Sequence, residues 1–324
     1  MFKNKAVNLL KAVTLGLTLS CVATQAVDAA PKFPRKQIQI VVPYAPGGAS
    51  DVVARIYGKE LEKELGKPVV IVNKTGASGA VGLESVKNSR PDGYTMSYMP
   101  VESTMISALG LSDISSNDFS FVCRVMTIPA AITVKADAPW NTLEEFITYA
   151  KENPEKVMIG NSGTGSIWHV AAASLSKATG AEFTYVPFDG AAPAIAALLG
   201  GNITAVSVSP SEVKANVDAG QFKVLAVIGD KRSSVVPDVK TTKEMGIDVT
   251  AMGWGGFAVP KGTPDEVVQI LNDASAKVVA TDTVKNLLKE RGFEYAYLDG
   301  KDMDAFSAEQ LKQYQTLIPE LIKK

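Results

Sequence analysis

The chain has 324 residues, of which 46% are hydrophobic and 21% are charged, and its formal net charge is −1 at pH 7. This composition is typical of a globular protein with enough residues for two domains. No basic block is present, so we expect no nucleic-acid partner. One histidine and two cysteines cannot supply a His/Cys metal cluster, and we expect neither a metal nor a cofactor.

The first 30 residues have the three parts of a secretory signal peptide. Three lysines precede a short apolar stretch over residues 12–22, and small residues up to Ala30 offer a cleavage site. The apolar stretch is too short for a permanent membrane span. We therefore expect residues 1–30 to be removed and the mature chain to be periplasmic.

Cys21 leaves an alternative open at the same end of the chain. The sequence Leu-Thr-Leu-Ser-Cys over residues 17–21 weakly resembles a lipoprotein box, although Thr18 stands where leucine is preferred. Lipidation of Cys21 would anchor the protein to a membrane. Cys123 lies in an apolar run and is interpreted as a buried strand thiol.

Apolar runs alternate with segments of helical spacing along the rest of the chain. Strands are predicted over residues 38–42, 69–72, 94–99, 157–160, 183–186, 205–208 and 254–259. Helices are predicted over residues 52–65, 80–89, 101–109, 142–152, 167–177, 191–199, 212–219, 264–280, 284–291 and 303–318. This alternation favours an α/β fold with two mostly parallel sheets flanked by helices.

Two further apolar segments predict crossings between two lobes. Residues 119–134, broken at Pro129, predict the first crossing, and residues 224–228 predict the return. Lobe 1 would then comprise residues 31–130 and 229–324, closed by the C-terminal helix, and lobe 2 would comprise residues 131–228. A two-strand hinge of this kind allows one lobe to close on the other.

Three loops rich in glycine and hydroxyl residues each follow a predicted strand, over residues 43–51, 73–79 and 161–166. Gly47 and Gly48 allow close approach of the backbone, and Ser50 or Asp51 can cap the next helix. Loops at the carboxyl ends of strands converge on one crevice, and free helix N–H groups favour an anion there. A purely structural turn explains the spacing equally well.

The same loops lack the features of a catalytic site. Only His169 can serve as a base for Ser78 or Ser162, and no Gly-x-Ser-x-Gly elbow is present. The Gly160–Ser166 spacing is that of a phosphate loop, but Ser166 stands in place of the lysine. We therefore expect binding loops and no enzyme, with an exported serine hydrolase as the less favoured alternative.

Motifs along nearly the whole chain resemble one family. Residues 41–55, Val-Val-Pro-Tyr-Ala-Pro-Gly-Gly-Ala-Ser-Asp-Val-Val-Ala-Arg, are similar to the opening motif of the substrate-binding proteins of tripartite tricarboxylate transporters, the Bug family. Residues 73–79, 91–94, 185–194 with 198–202, and 257–264 resemble its later motifs in the same order. The resemblance implies a two-lobed, type II-like periplasmic binding protein. Such a protein is a monomer that delivers a small carboxylate to membrane permease subunits.

The resemblance also implies which residues hold the carboxylate, often through main-chain N–H groups and ordered waters. These residues are Tyr44, Gly47, Gly48, Ser50, Asp51, Ser78, Ser162, Thr164, Gly165, Phe188, Asp189, Gly190 and Ser207. Ser207 marks a departure, because many relatives carry an acidic and an amide residue in this segment. Asp189 can accept a hydrogen bond from a ligand hydroxyl or ammonium, or can simply form an Asp-Gly turn.

Two alternatives stay open at this level. Tyr44, Trp168 and Phe188 can pack on the ligand or belong to the core. The partner surface cannot be read from the sequence, so a binding protein that signals to a membrane sensor kinase is compatible with the same motifs. The identity of the carboxylate cannot be read either.

Overall fold

The structure is a computed structural model that describes residues 33–321. The predicted signal peptide and Cys21 lie outside the described residues. Within residues 33–321, no helix combines the length and the apolar character needed to cross a membrane.

The described chain begins with strands that are each followed by a helical segment. These elements are β1 (Ile38–Val42), α1 (Ala49–Leu65), β2 (Val69–Asn73), α2 (Ala80–Lys87), β3 (Thr95–Pro100) and a 3-10 turn (Val101–Thr104). The helix predicted over residues 101–109 is therefore wrong. The Thr104 hydroxyl donates to the Val101 carbonyl at 2.6 Å, and such local bonds compete with a continuing helix.

The next strand, β4 (Phe119–Lys135), is 17 residues long. The prediction of a break at Pro129 is wrong, because Pro129 is paired with Met252 within the strand ladder. Proline lacks only the N–H donor, and its fixed φ is compatible with an extended backbone. The strand therefore runs unbroken from one half of the molecule into the other.

The second half of the molecule repeats the alternation of strands and helices. Its elements are α3 (Leu143–Glu152), β5 (Val157–Asn161), α4 (Ile167–Thr179), β6 (Phe183–Pro187), α5 (Ala191–Leu199), β7 (Ala205–Val208), α6 (Pro210–Asp218) and β8 (Phe222–Ile228). The chain then returns to the first half through β9 (Met252–Pro260), α7 (Asp265–Ala280), α8 (Asp282–Glu290), β10 (Glu294–Asp299) and α9 (Gly300–Leu321). Strand β10 was missed by the sequence analysis.

All the strands join in one path, in the order β2-β1-β3-β9-β4-β7-β5-β6, with β8 and β10 also paired to β4. The first half of β4 pairs with β9 and β10, and its last residues pair with β7 and β8. The α/β class is confirmed. The sheets are mixed, because the outer strands are parallel whereas every partner of β4 is antiparallel. Strand β8 belongs to the second sheet, so residues 229–251 make the return.

Aromatic side chains fill the core of the first half. The ring of Tyr57 in α1 stacks on Phe257 in β9, with 3.7 Å between the ring centroids. The Tyr57 hydroxyl lies 2.6 Å from Ser275 Oγ in α7. Cys123 is fully buried beside them, which confirms the interpretation as a buried thiol, and burial raises its pKa to about 12.

Candidate functional site

A cavity lies between the two sheets, at the loops that follow β1, β3 and β5. We call it the inner cavity; its lining includes Tyr44, Gly48, Ser50, Tyr98, Glu102, Met126, Ser162, Ile167, Trp168, Glu212 and Trp254. The space open to the centres of water-sized molecules is about 40 Å³, which is room for about three waters. The cavity therefore suits a small solute.

The start of α1 at the cavity is bound by a distant carboxylate. Gly48 is the N-cap residue and provides no side-chain cap. The N–H of Ala49 donates instead to Glu212 Oε1 at 3.0 Å. The predicted cap by Ser50 or Asp51 is therefore wrong, since Asp51 accepts from the N–H of Gly47 and pairs with Arg55.

The start of α4 has the reciprocal arrangement. Its N-cap Ser166 accepts from the N–H of His169 at 3.3 Å, and the N–H of Ile167 donates to Glu102 Oε1 at 2.9 Å. Glu102 follows β3 in the first half, whereas α4 lies in the second. Each half thus places a glutamate at a helix start of the other, where the helix dipole stabilises negative charge.

Burial opposes the ionisation of both glutamates. Glu102 is only 3% exposed, and burial raises its pKa to about 7, with the charge of Glu212 acting in the same direction. Burial also raises the pKa of Glu212, against the hydrogen bonds from Ala49 and Ser209. None of the described residues that line the inner cavity is a lysine, arginine or histidine. The two carboxylates therefore have backbone dipoles near them but no cation.

A second depression, the outer groove, lies beside the inner cavity. It is lined by Ala77, Ser78, Leu111, Gly163, Thr164, Pro187, Phe188, Asp189 and Pro193. Two hydrogen bonds cross it between the halves. Ser78 Oγ donates to the Thr164 carbonyl at 2.6 Å, and the N–H of Ala45 donates to the Asp189 carbonyl at 3.0 Å.

The loop that carries Ser78 is held in an unusual conformation. Ala77 and Ser78 have φ values of 46° and 52°, in the left-handed region that residues with a side chain rarely adopt. The Tyr44 hydroxyl donates to the Ser78 carbonyl at 3.0 Å. The wall of the inner cavity and the bond across the outer groove are thus connected through one residue, Ser78.

The structure divides the residues that the sequence singled out into three groups. Four line the inner cavity: Tyr44, Gly48, Ser50 and Ser162. Four line the outer groove: Ser78, Thr164, Phe188 and Asp189. Five line neither: Gly47, Asp51, Gly165, Gly190 and Ser207. Ser207 Oγ, for example, donates to the Trp168 carbonyl at 2.7 Å. The ligand contacts of all thirteen stay predictions.

Glu102, Glu212 and Trp254 are among the residues of the inner cavity that the sequence analysis missed. Glu102 lies two residues after the end of β3, in the segment where glycine-rich loops follow other strands, so its place was a usable signal. Glu212 completes a capping box with Ser209. This local role gave no reason to expect Glu212 at the cavity. Trp254 lies within β9, and its Nε1 is buried with no hydrogen-bond partner among residues 33–321.

His169 is poorly placed to act as a base. Its Nδ1 accepts a hydrogen bond from the N–H of Gly165 at 2.8 Å, and burial lowers its pKa to about 4. The Ser78 hydroxyl is engaged with a backbone carbonyl. Over residues 33–321, no group of three or more His, Cys, Asp or Glu side chains is arranged to hold a metal ion.

Two sheets joined through β4, with a cavity between them, define a two-lobed solute-binding protein of the periplasmic type. Residues 53–322 match the family described as the tripartite tricarboxylate transporter family receptor. The chain belongs to this family, and the family predicted from the sequence motifs is confirmed.

Individual relatives agree over most of the chain. It is 32% identical over 312 residues to a Cupriavidus necator protein of the UPF0065 group, covering 96% of this chain and 94% of the relative. A Polaromonas TctC solute-binding protein, solved without ligand, is 41% identical with a TM-score of 0.66 and covers 89% of this chain and 100% of its own. A Rhodopseudomonas palustris protein solved with adipate is 27% identical with a TM-score of 0.84, covering 88% and 97%.

Proposed function

We propose that this protein is an extracytoplasmic receptor that binds a small carboxylate-bearing solute between two lobes. It delivers that solute to the membrane permease subunits of a tripartite tricarboxylate-type transporter. The inner cavity is the observation that carries the proposal, because it lies between the two sheets at the ends of their strands, where α/β proteins bind ligands. The adipate bound to the R. palustris relative supports a carboxylate.

The proposed lobes comprise residues 31–130 with 229–324, and residues 131–228. In this division the backbone passes between the lobes through β4 and through residues 229–251, and these two segments form the hinge. The TM-scores support a closing motion. The Polaromonas protein without ligand is more similar in sequence but superposes less well than the adipate-bound protein, as expected if the arrangement described here is the closed one.

Hydrogen-bond donors for a carboxylate are available around the cavity. The Trp254 indole N–H has no partner among the described residues, and the Ser50 and Ser162 hydroxyls line the same space. Charge-assisted hydrogen bonds contribute about 1.5–3 kcal/mol each. In the upper part of this range, three or four of them reach the roughly 8 kcal/mol that corresponds to micromolar affinity.

The wider setting follows from the family and the first 30 residues. We expect signal-peptide cleavage, a periplasmic mature chain without lipid on Cys21, and a monomer that has no enzymatic activity. The arrangement of Ser78 and His169 does not favour a serine hydrolase. A receptor that presents its closed form to a sensor kinase would use the same cavity, and a transport assay in a strain lacking the permease subunits separates these two partners.

A thermal-shift screen tests the binding function. The mature protein is mixed with dicarboxylates, tricarboxylates, aromatic acids, amino acids and nicotinate at millimolar concentration. A ligand present at 100 times its dissociation constant stabilises the fold by about 2.7 kcal/mol. We expect at least one carboxylate-bearing compound to raise the melting temperature. If none does, the receptor proposal fails.

A further inference from the structure

Two glutamate side chains line the inner cavity, which sets it apart from a simple anion site. Glu102 Oε1 accepts from the N–H of Ile167 at 2.9 Å, and Glu212 Oε1 accepts from the N–H of Ala49 at 3.0 Å. Each helix start is a place where a ligand carboxylate could be bound. In this chain those two positions are already taken by glutamate side chains.

Hydrogen bonds, but no cationic side chain, compensate these glutamates when they are ionised. Glu102 is 3% exposed, and none of the described lining residues is a cation. A helix start supplies the equivalent of only about half a charge. A buried carboxylate without a cationic partner is costly. A positive charge on the solute would supply the missing counter-charge and lower that cost.

The rest of the lining fits a cation and one anion. Tyr44, Tyr98, Trp168 and Trp254 surround the cavity, and aromatic faces attract ammonium groups. The buried Trp254 N–H, which has no partner among residues 33–321, can donate to a carboxylate oxygen. Donors and acceptors of both kinds therefore meet in one small space.

Resting on the proposed receptor function, we infer that the solute carries a protonated amine as well as a carboxylate, and that its ammonium group binds between Glu102 and Glu212. When both are ionised, the same two side chains repel the second carboxylate of a dicarboxylate. The ligand class is thus a small zwitterionic amino acid or amino-alkyl acid, in contrast to the adipate bound by the R. palustris relative.

Three four-carbon probes isolate the charge at one end of the solute: 4-aminobutyrate, succinate and butyrate. Calorimetry or the fluorescence of Trp168 and Trp254 reports binding to the mature protein. We expect 4-aminobutyrate to bind at least 10-fold more tightly than succinate or butyrate. Glu102→Gln and Glu212→Gln should each weaken 4-aminobutyrate at least 10-fold and leave succinate unchanged or tighter. The exposed residue Glu182 gives the control, Glu182→Gln, which should match wild type.

Two results would overturn the inference. In the first, succinate binds more tightly than 4-aminobutyrate, and the glutamine variants bind succinate as tightly as wild type or more tightly. The two glutamates would then be protonated and would donate to the second carboxylate of the ligand. This leaves the receptor proposal standing. In the second, 4-aminobutyrate binds no better than butyrate, so the ammonium adds nothing. The receptor proposal itself fails only if the broad screen also finds no carboxylate-bearing ligand.

Discussion

The inner cavity and the outer groove lie side by side between the same two sheets, yet their chemistry differs. The cavity encloses two carboxylates and four aromatic rings, whereas the groove is crossed by hydrogen bonds to the backbone carbonyls of Thr164 and Asp189. Ionisable groups facing a solute determine which solute binds, and backbone bonds between the halves determine whether they stay closed. We therefore propose that the cavity recognises the solute and that the groove stabilises the closed form.

The largest expected effect concerns Glu102 in the unliganded protein. Its pKa in the fold, about 7, lies above the ordinary value of 4.5, so the folded state holds the proton more tightly than the unfolded state. Stability is therefore lost as the pH rises from 4.5 to 7 and stays lost above 7. Glu102→Gln should stabilise the empty protein at pH 8 by up to about 3 kcal/mol and leave stability at pH 4 unchanged.

Chemical unfolding at both pH values measures this effect. The titratable groups that face Glu102 are Glu212, Tyr44, Tyr98 and Tyr314. Glu212 is the one carboxyl among these four, and burial raises its pKa as well. Glu212→Gln should therefore give a change of the same sign. A destabilised Glu102→Gln protein at pH 8 would show that the carboxylate charge is compensated, which would contradict the contrast between cavity and groove.

The next effect is on closure. A Cβ on Gly163 would lie 2.5 Å from Ser78 Oγ and 3.3 Å from Ser78 Cα, so Gly163→Ala should keep the outer groove from closing. We expect ligand affinity to fall about 30-fold, which corresponds to about 2 kcal/mol. The matched control is Gly180→Ala, where φ is also positive but nothing lies within 4 Å. Calorimetry should give wild-type affinity for the control alone.

A smaller effect is expected from the hydroxyl that crosses the groove. Ser78→Ala removes the hydrogen bond to the Thr164 carbonyl, which contributes about 1 kcal/mol, or roughly a fivefold loss of affinity. Ser89→Ala removes a bond of similar length within one half, to the Val86 carbonyl, and should leave affinity unchanged. Equal losses in both variants would mean that Ser78 has no special part in closure.

The smallest effect is expected at Asp189. Its side chain is exposed in the outer groove, and only its backbone carbonyl bonds across to Ala45. Asp189→Asn should change ligand affinity by less than threefold, because solvent screens an exposed charge. A loss of 10-fold or more, measured with the same ligand, would move recognition of the ammonium from the inner cavity to the groove.

Most of the fold could be predicted from the sequence because its signals are local. Strand β1 was predicted with the bounds that the structure has, since an apolar run ends there at Pro43. The end of α1 at Gly66 follows from a left-handed glycine. The prediction of a break at Pro129 was wrong because proline more often interrupts a helix or a central strand than lies within one. Strand β10 was missed because its stability depends on pairing with β4.

The candidate site was predictable only in part, for the same reason. Glycine and serine loops after strands indicate a crevice, and the family resemblance then implied Tyr44, Ser50 and Ser162 as contacts. The hydrogen bonds that place the two glutamates at the cavity connect distant parts of the chain. The sequence separation is 65 positions for Glu102 and Ile167, and 163 positions for Glu212 and Ala49. No local sequence pattern encodes these hydrogen bonds. Only the packing of the two halves brings Glu102 to the start of α4 and Glu212 to the start of α1.

The central claim is that two lobes close around a solute held in the inner cavity. Small-angle X-ray scattering of the mature protein, with and without its tightest ligand from the screen, tests this claim most directly. Hinge closure about β4 and residues 229–251 brings the lobes together. We predict that the radius of gyration falls at saturating ligand in the wild type and stays constant in Gly163→Ala. An unchanged radius in ligand-saturated wild type would contradict the account.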